Sequence, residues 1–323
     1  MLVAILGGGN PYALNLASHL STLGIRALGI GRSPRKAAPF WLAPAGYEYH
    51  HAEVGVSNSD VLAILDERKP EVIVNFAAQG EGAASFGMRS YYFYRTNALY
   101  LVELAENLAN RDYLQRFIQI GSSEVYGTTR WPASESDPPN PGSPYAVSKL
   151  AFDLHVLLMR RLAGFPAIVV RPSNCYCPGQ QLHRVIPRAI RAGMTGTKMR
   201  LEGGGTSVKG YLHADDLSRA LSFIINAPGT SDLYNVGPKE SVPIRALVET
   251  VAELLGKRLE DIATETPPRH GDEKNYELSS SRIREELGWV SMIRLRDGIA
   301  GMIDWFVKYP ELLTMDDAFH LRP

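Results

Sequence analysis

The first two dozen residues constrain the fold of this chain more than any other stretch. Residues 2–6 are wholly apolar, residues 7–11 bring three consecutive glycines and a proline, and residues 12–23 carry apolar side chains at helical spacing before Gly24. An apolar strand, a glycine turn and an amphipathic helix in that order form the opening βα unit of a parallel sheet. In such a unit the glycines let the backbone approach a pyrophosphate, and the helix N-terminus faces its charge. A glycine-rich loop that binds nothing reads the same up to this point.

A chain of 323 residues exceeds what one compact core supports, so two lobes are expected. With 45% hydrophobic and 21% charged residues, the composition excludes a disordered chain. Lys plus Arg equals Asp plus Glu at 34 each, which removes the electrostatic case for nucleic acid or an anionic membrane as partner. The apolar start lacks a basic leader, and no run approaches the ~18 apolar residues of a membrane span, so a soluble cytoplasmic protein is expected. Cys175 and Cys177 have no second Cys or His pair at ligand spacing and read as free thiols, with no metal expected.

Chemistry concentrates in Gly121-Ser122-Ser123-Glu124-Val125-Tyr126-Gly127 and in Ser143-Pro144-Tyr145-Ala146-Val147-Ser148-Lys149. Residues 117–120 read as a short buried strand, so Ser122 and Ser123 sit at its end, where open α/β sheets place their reactive groups. Tyr145 and Lys149 are four apart at the head of a helix-periodic run, which puts both side chains on one face. An ammonium there lowers the pKa of the phenol, and a phenolate can take a proton from a sugar or alcohol hydroxyl at neutral pH. The prolines at 132, 138, 139, 141 and 144 make the stretch between the two motifs a surface loop.

With these motifs the chain resembles the extended short-chain dehydrogenase/reductase family, in its nucleotide-sugar dehydratase and epimerase branch. The resemblance also rests on Asn75-Phe76-Ala77-Ala78-Gln79, Thr96-Asn97, residues 171–179, residues 211–216, Tyr234-Asn235-Val236-Gly237 and Leu287-Gly288-Trp289. It implies a Rossmann-type α/β fold, a doubly wound parallel sheet with a smaller C-terminal α/β substrate lobe. Residues 1–172 would form the dinucleotide-binding domain and 173–323 the substrate lobe, interleaved with the last strands of the first. Residues 237–255 and 278–289 would close that lobe. A homodimer built on the helix over 91–108 and the helix bearing Tyr145 is implied as well.

The family's glycine pattern falls on Gly7, Asn10 and Ala13, with Asn10 in place of a glycine because Asn tolerates a left-handed backbone. Gly7, Gly9, Asn10, Ala77, Ala78, Gln79 and Asn97 are therefore expected at the cofactor, together with Tyr145 and Lys149. After the second strand the chain carries Arg32, Arg35 and Lys36 and no carboxylate. That suits a 2′-phosphate and hence NADP, with NAD possible and a solvated basic loop as the other reading. The resemblance further marks Ser123, Asn174, Arg184, Lys209 and Arg269 as contacts to a nucleotide-diphosphate sugar, the cations suiting its pyrophosphate. The family's usual Arg is Lys at 209, and the glycine of its Tyr-Gly-Pro is Cys177.

Ser122, Glu124, Tyr145 and Lys149 are the expected catalytic set. A 4-epimerase needs only the Ser, Tyr and Lys, whereas a 4,6-dehydratase must also remove the carbon 5 proton and expel the carbon 6 hydroxyl, which calls for a carboxylate. Ser-Ser-Glu is similar to the Thr-Ser-Glu of GDP-mannose 4,6-dehydratases, so 4,6-dehydration of an NDP-hexose is the leading expectation. A 4-epimerase, a decarboxylase and a non-catalytic dinucleotide-binding sensor are the alternatives.

Overall fold

A computed structural model of the chain describes residues 1–34, 39–80, 85–86, 89–227, 231–268 and 275–316. Strands β1 (Leu2–Leu6), β2 (Arg26–Gly31), β3 (Glu48–His51), β4 (Val72–Asn75), β5 (Arg116–Ile120) and β6 (Ala167–Pro172) alternate with helices α1 (Pro11–Thr22), α2 (Ser59–Arg68), α3 (Ser90–Tyr94), α4 (Tyr100–Leu108) and α5 (Pro144–Ala163). Then come β7 (Asn174–Tyr176), α6 (Val185–Thr195), β8 (Met199–Glu202), β9 (Val208–His213), α7 (Ala214–Asn226), β10 (Leu233–Val236), β11 (Ser241–Pro243) and α8 (Ile244–Leu254). Helix α9 (Leu259–Ile262), β12 (Ala263–Thr266), β13 (Asn275–Tyr276), α10 (Ser281–Leu287) and α11 (Leu295–Lys308) complete the order.

The main sheet runs β10-β6-β5-β4-β1-β2-β3, every pair parallel. Strand order departs in opposite directions from β1 and β4, so the crevice between their carboxyl ends is the topological switch point where ligands bind in open α/β sheets. Side chains alternate along β1: Val3 and Ile5 pack with α1, α7 and Trp289, while Ala4 and Leu6 pack with α2, α4 and α5. Both faces are covered, which is why these strands read as continuous apolar runs.

Asn10 starts α1 by accepting Ala13 N–H at 2.9 Å, with Pro11 in the first turn. Its backbone is extended, φ −84°, so the left-handed role expected of Asn10 is not the one it plays. The left-handed residue of the turn is Gly7, φ +73°. Ser143 and Pro144 start α5 in the same manner, and left-handed Gly164 ends it.

The second layer pairs β9 with β7, β11 and β13, and β8 with β12, over a core from α6, α8 and α11 that includes Ile186, Ile190, Val251 and Phe306. Two segments return to the first layer: α7 and β10 join the main sheet's core. So do Ile283 and Trp289, both essentially buried there. Residues 278–289, expected to close the substrate lobe, pack instead largely on the main sheet, because α10 lies against β10 and Trp289 donates to Asp216 O at 3.0 Å. Among the described residues no helix is long and apolar enough to cross a membrane.

Candidate active site

Two cavities open at the carboxyl ends of the main sheet, of about 430 and 450 Å³, and they share Asn10, Phe76, Ala78, Gly80, Gln181, His183 and Arg184 in their walls. The first contains Gly7, Gly9 and Asn10 from the glycine turn and Arg32 from the end of β2. Ala77, Ala78 and Gln79 follow β4 and form the opposite wall. A Cβ on Gly7 would lie 2.9 Å from Ala77 N, so the turn and the wall leave a groove that only glycine permits. This groove beside the N-terminus of α1 fits a dinucleotide's pyrophosphate. Arg35 and Lys36 lie outside the described residues. His183 and the carboxylate of Asp316 also line the first cavity, and neither is marked by a motif.

Asn97, expected at the cofactor, lies behind this wall rather than in it. It sits in a π-helical turn (Arg95–Leu99) joining α3 to α4, fully buried. Its Oδ1 accepts Gln79 N–H at 2.7 Å, and its Nδ2 donates to Gln79 O and to Ser148 Oγ, each at 3.0 Å. A π turn adds a residue to the helical circuit and commonly marks a functional site. Here it joins one amide to both Gln79 in the cavity wall and the helix bearing Tyr145, since Ser148 Oγ donates to Tyr145 O at 2.7 Å.

The second cavity gathers Ser122, Ser123, Glu124, Tyr145 and Lys149. Ser122 caps the 3-10 turn Ser123–Tyr126 by accepting Glu124 N–H at 3.2 Å, which fixes the backbone of Glu124 at the cavity wall. The Tyr145 ring meets Phe93 edge-on at 6.3 Å, and its backbone N–H donates to Ser85 Oγ at 3.0 Å. Lys149 is buried and donates to Ile120 O. Burial pulls its pKa down to about 8, opposed by the charge of Asp153, so the ammonium is retained at neutral pH.

Asp153 follows Lys149 by one turn and is fully buried, as is nearly all of Arg171, whose Nε meets it at 3.0 Å. Burial pushes the Asp153 carboxyl up, against the pull of Arg171 and then of Lys149. Arg171 also donates to Tyr126 Oη at 2.9 Å, and Tyr126 to Asn235 Oδ1 at 3.0 Å. Tyr145, Lys149 and Asp153 therefore form a single helical stripe that ends in a buried ion pair.

Asn174, Arg184 and Lys209 line the far side of the second cavity, while Arg269 lies outside the described residues. Lys209 Nζ stands 4.8 Å from the centroid of the Tyr276 ring, and Tyr276 Oη donates to Asn174 Oδ1 at 3.4 Å. Strands β7, β9 and β13 thereby set these groups as one surface. Cys175 and Cys177 are free thiols, and burial pushes Cys175 up to about 12, which makes it a poor nucleophile. Among the described residues no cluster could hold a metal ion.

Comparison with known proteins places residues 3–237 in a match to the NAD dependent epimerase/dehydratase family. A dTDP-glucose 4,6-dehydratase of Streptomyces niveus is 31% identical over 237 residues, covering 73% of this chain and 70% of that protein. The trifunctional UDP-glucose 4,6-dehydratase/UDP-4-keto-6-deoxy-D-glucose 3,5-epimerase/UDP-4-keto-L-rhamnose-reductase of Arabidopsis thaliana is 29% identical over 245 residues, 75% of this chain. The chain spans 36% of that plant protein's length. The solved UDP-glucose 4-epimerase of Thermus thermophilus, in complex with NAD, superposes with a TM-score of 0.87 at 23% identity, covering 96% of this chain and all of that one. An epimerase thus has the same fold, and the reaction has to be read from the site.

Proposed function

The chain belongs to the NAD dependent epimerase/dehydratase family, and on that premise we propose that it is an enzyme catalysing 4,6-dehydration of a nucleotide-diphosphate hexose to the 4-keto-6-deoxy sugar. The observation that carries this reading is Glu124, a carboxylate in the same cavity wall as Ser122, Tyr145 and Lys149. The dinucleotide, when bound, supplies hydride acceptance and return. Tyr145 takes the proton of the carbon 4 hydroxyl, Ser122 hydrogen-bonds the same oxygen, and the Lys149 charge favours the phenolate. A 4-keto group acidifies the carbon 5 hydrogen, so Glu124 removes that proton and then, directly or through water, protonates the departing carbon 6 hydroxyl. Asn174, Arg184 and Lys209, with Ser123, hold the nucleotide diphosphate, and Arg269 is expected among them.

For the cofactor we infer NADP, on Arg32 at the end of β2, which presents a fixed fork to a 2′-phosphate. NAD is the second reading, favoured by the Asp316 carboxylate in the same cavity. The assembly we propose is a homodimer. Val147, Leu154, Leu158 and Leu162 are exposed along one side of α5, Leu162 to 74%, with Leu99 exposed beside α4. Such a stripe suits burial against a second copy. The reading retains a cytoplasmic location, with residues 1–172 as dinucleotide domain and 173–323 as substrate lobe apart from the returning α7, β10 and α10.

A panel of GDP-, UDP-, dTDP- and CDP-hexoses, incubated with the purified protein and cofactor, tests the reaction. A 4-keto-6-deoxy product from one of them is expected. Carbon 4 epimers without dehydration would install the epimerase reading, and no turnover of any would favour the sensor.

A further inference from the structure

Edge strand β3 does something that its place at the margin of the sheet does not require. Residues 47, 49 and 51 alternate along one side of this segment, and each reaches a backbone carbonyl of a loop in the first cavity. Tyr47 Oη donates to Gly8 O at 3.1 Å, and Tyr49 Oη donates to Ser33 O at 2.5 Å. His51 Nε2 lies 2.8 Å from Arg32 O, and because a carbonyl only accepts, this nitrogen carries the hydrogen.

The neighbouring strand is cut away to let them pass. β3 pairs with β2 in the register Gly29 with Tyr49 and Gly31 with His51. A Cβ on Gly29 would lie 2.2 Å from Tyr47 Oη, and one on Gly31 would lie 2.6 Å from Tyr49 Oη. Glycine weakens a strand interior, and here both positions mark the close approach of another group. Trp41 closes over the two rings from outside, its centroid 5.1 Å from that of Tyr49 and 6.2 Å from that of Tyr47.

We propose that the Tyr47–Tyr49–His51 row is a positioning device for the dinucleotide site, fixing the glycine turn and the Arg32–Ser33 turn so that Arg32 is held at the adenosine end. The inference rests on the reading of the first cavity as a dinucleotide site. Tyr49 also lines the first cavity, whereas Tyr47 and His51 lie outside its wall; the row acts by holding the main chain of both turns. Both turns are then anchored to one strand, and the distance between the pyrophosphate groove and Arg32 is set by side chains rather than by loop length.

The test is titration of the full-length wild type and of the Tyr49→Phe, His51→Leu and Arg32→Ala variants with NADPH and with NADH, alongside their melting temperatures. Tyr49→Phe and His51→Leu should each weaken NADPH binding roughly 3- to 10-fold, the worth of about one hydrogen bond. They should move the NADPH-to-NADH affinity ratio in the same direction as Arg32→Ala, and neither should move it further in an Arg32→Ala background. His51 is exposed, so its variant folds even where the packed Tyr49 tolerates no change. If Arg32→Ala leaves the ratio at the wild-type value, the 2′-phosphate reading is wrong. The row must then still show as weakened binding of both dinucleotides at unchanged melting temperature. Wild-type affinities in both row variants, or losses that simply follow lost melting temperature, overturn the proposal.

Discussion

Lys149 Nζ donates to the main-chain carbonyl of Ile120 at 2.6 Å, which pins the ammonium of α5 to the last residue of β5, one residue before Gly121 and two before Ser122. The hydroxyl, phenol and ammonium are thus held by two elements that the core already locks together.

Turnover should fall as pH rises through about 8, where buried Lys149 gives up its proton and the phenol loses its neighbouring charge. Stability should move the other way. The folded pKa lies below the ordinary lysine value, so the unfolded chain binds more protons between the two, and the cost of burying the ammonium fades as pH climbs from about 8. Asp153→Asn removes the carboxylate that supports the charge and should shift the alkaline limb to lower pH. It also leaves Arg171 buried without its partner, a loss of about 3–5 kcal/mol. A pH–rate profile and a denaturant titration read the two effects separately, and an unmoved limb would show that Asp153 serves packing alone.

Tyr145→Phe keeps the ring contact with Phe93 and removes the proton-transfer group. Turnover should drop by roughly 10²–10⁴-fold with the fold intact, the range for a positioned acid–base residue. Wild-type rates in this variant would assign the chemistry to another base.

Glu124→Gln keeps the shape of the 3-10 turn and removes the carboxylate. The variant should still reduce bound cofactor when given substrate, yet release little 4-keto-6-deoxy product and exchange little carbon 5 hydrogen with deuterated water. Interconversion of carbon 4 epimers at wild-type speed would make the protein an epimerase.

Leu154→Glu combined with Leu158→Glu places two charges in the exposed stripe of α5. Light scattering should show the wild type as a dimer and the double variant as a folded monomer, because burying unpaired carboxylates in an apolar interface is costly. A dimeric double variant would move the interface elsewhere.

What can be read from the sequence is local. The βα opening, the strand before Ser122 and the shared helix face of Tyr145 and Lys149 follow from runs and spacings within about twenty residues. At Asn10 the glycine pattern points to the wrong backbone, because it suggests a left-handed residue while an Asn followed by Pro equally signals a helix cap. Asn97 carries a motif, but no spacing announces the π turn that withdraws it behind the wall. Asp153 stands at helical spacing from Lys149, yet its importance depends on Arg171, a strand away. The row from Tyr47 to His51 is invisible in the sequence because its partners are backbone carbonyls, which no residue type or spacing marks, and Asp316 is invisible because it reaches the cleft from the far end of the chain.

The return of β10, α10 and Trp289 to the main sheet bears on how the molecule is made. β10 pairs with β6, and one face of the sheet is covered by α7, Ile283 and Trp289, all of which follow the first substrate-side elements. A growing chain that has emerged only as far as β6 carries an apolar sheet with a bare edge and one incompletely covered face, and such surfaces invite association with other chains. The main-sheet layer cannot complete its core before β10, α7 and Trp289 have been synthesised, and closing those long loops makes the last step slow. A cut at residue 172 removes the edge strand β10, helix α7 and the buried Ile283 and Trp289 from the main sheet's core, so residues 1–172 alone should not fold stably.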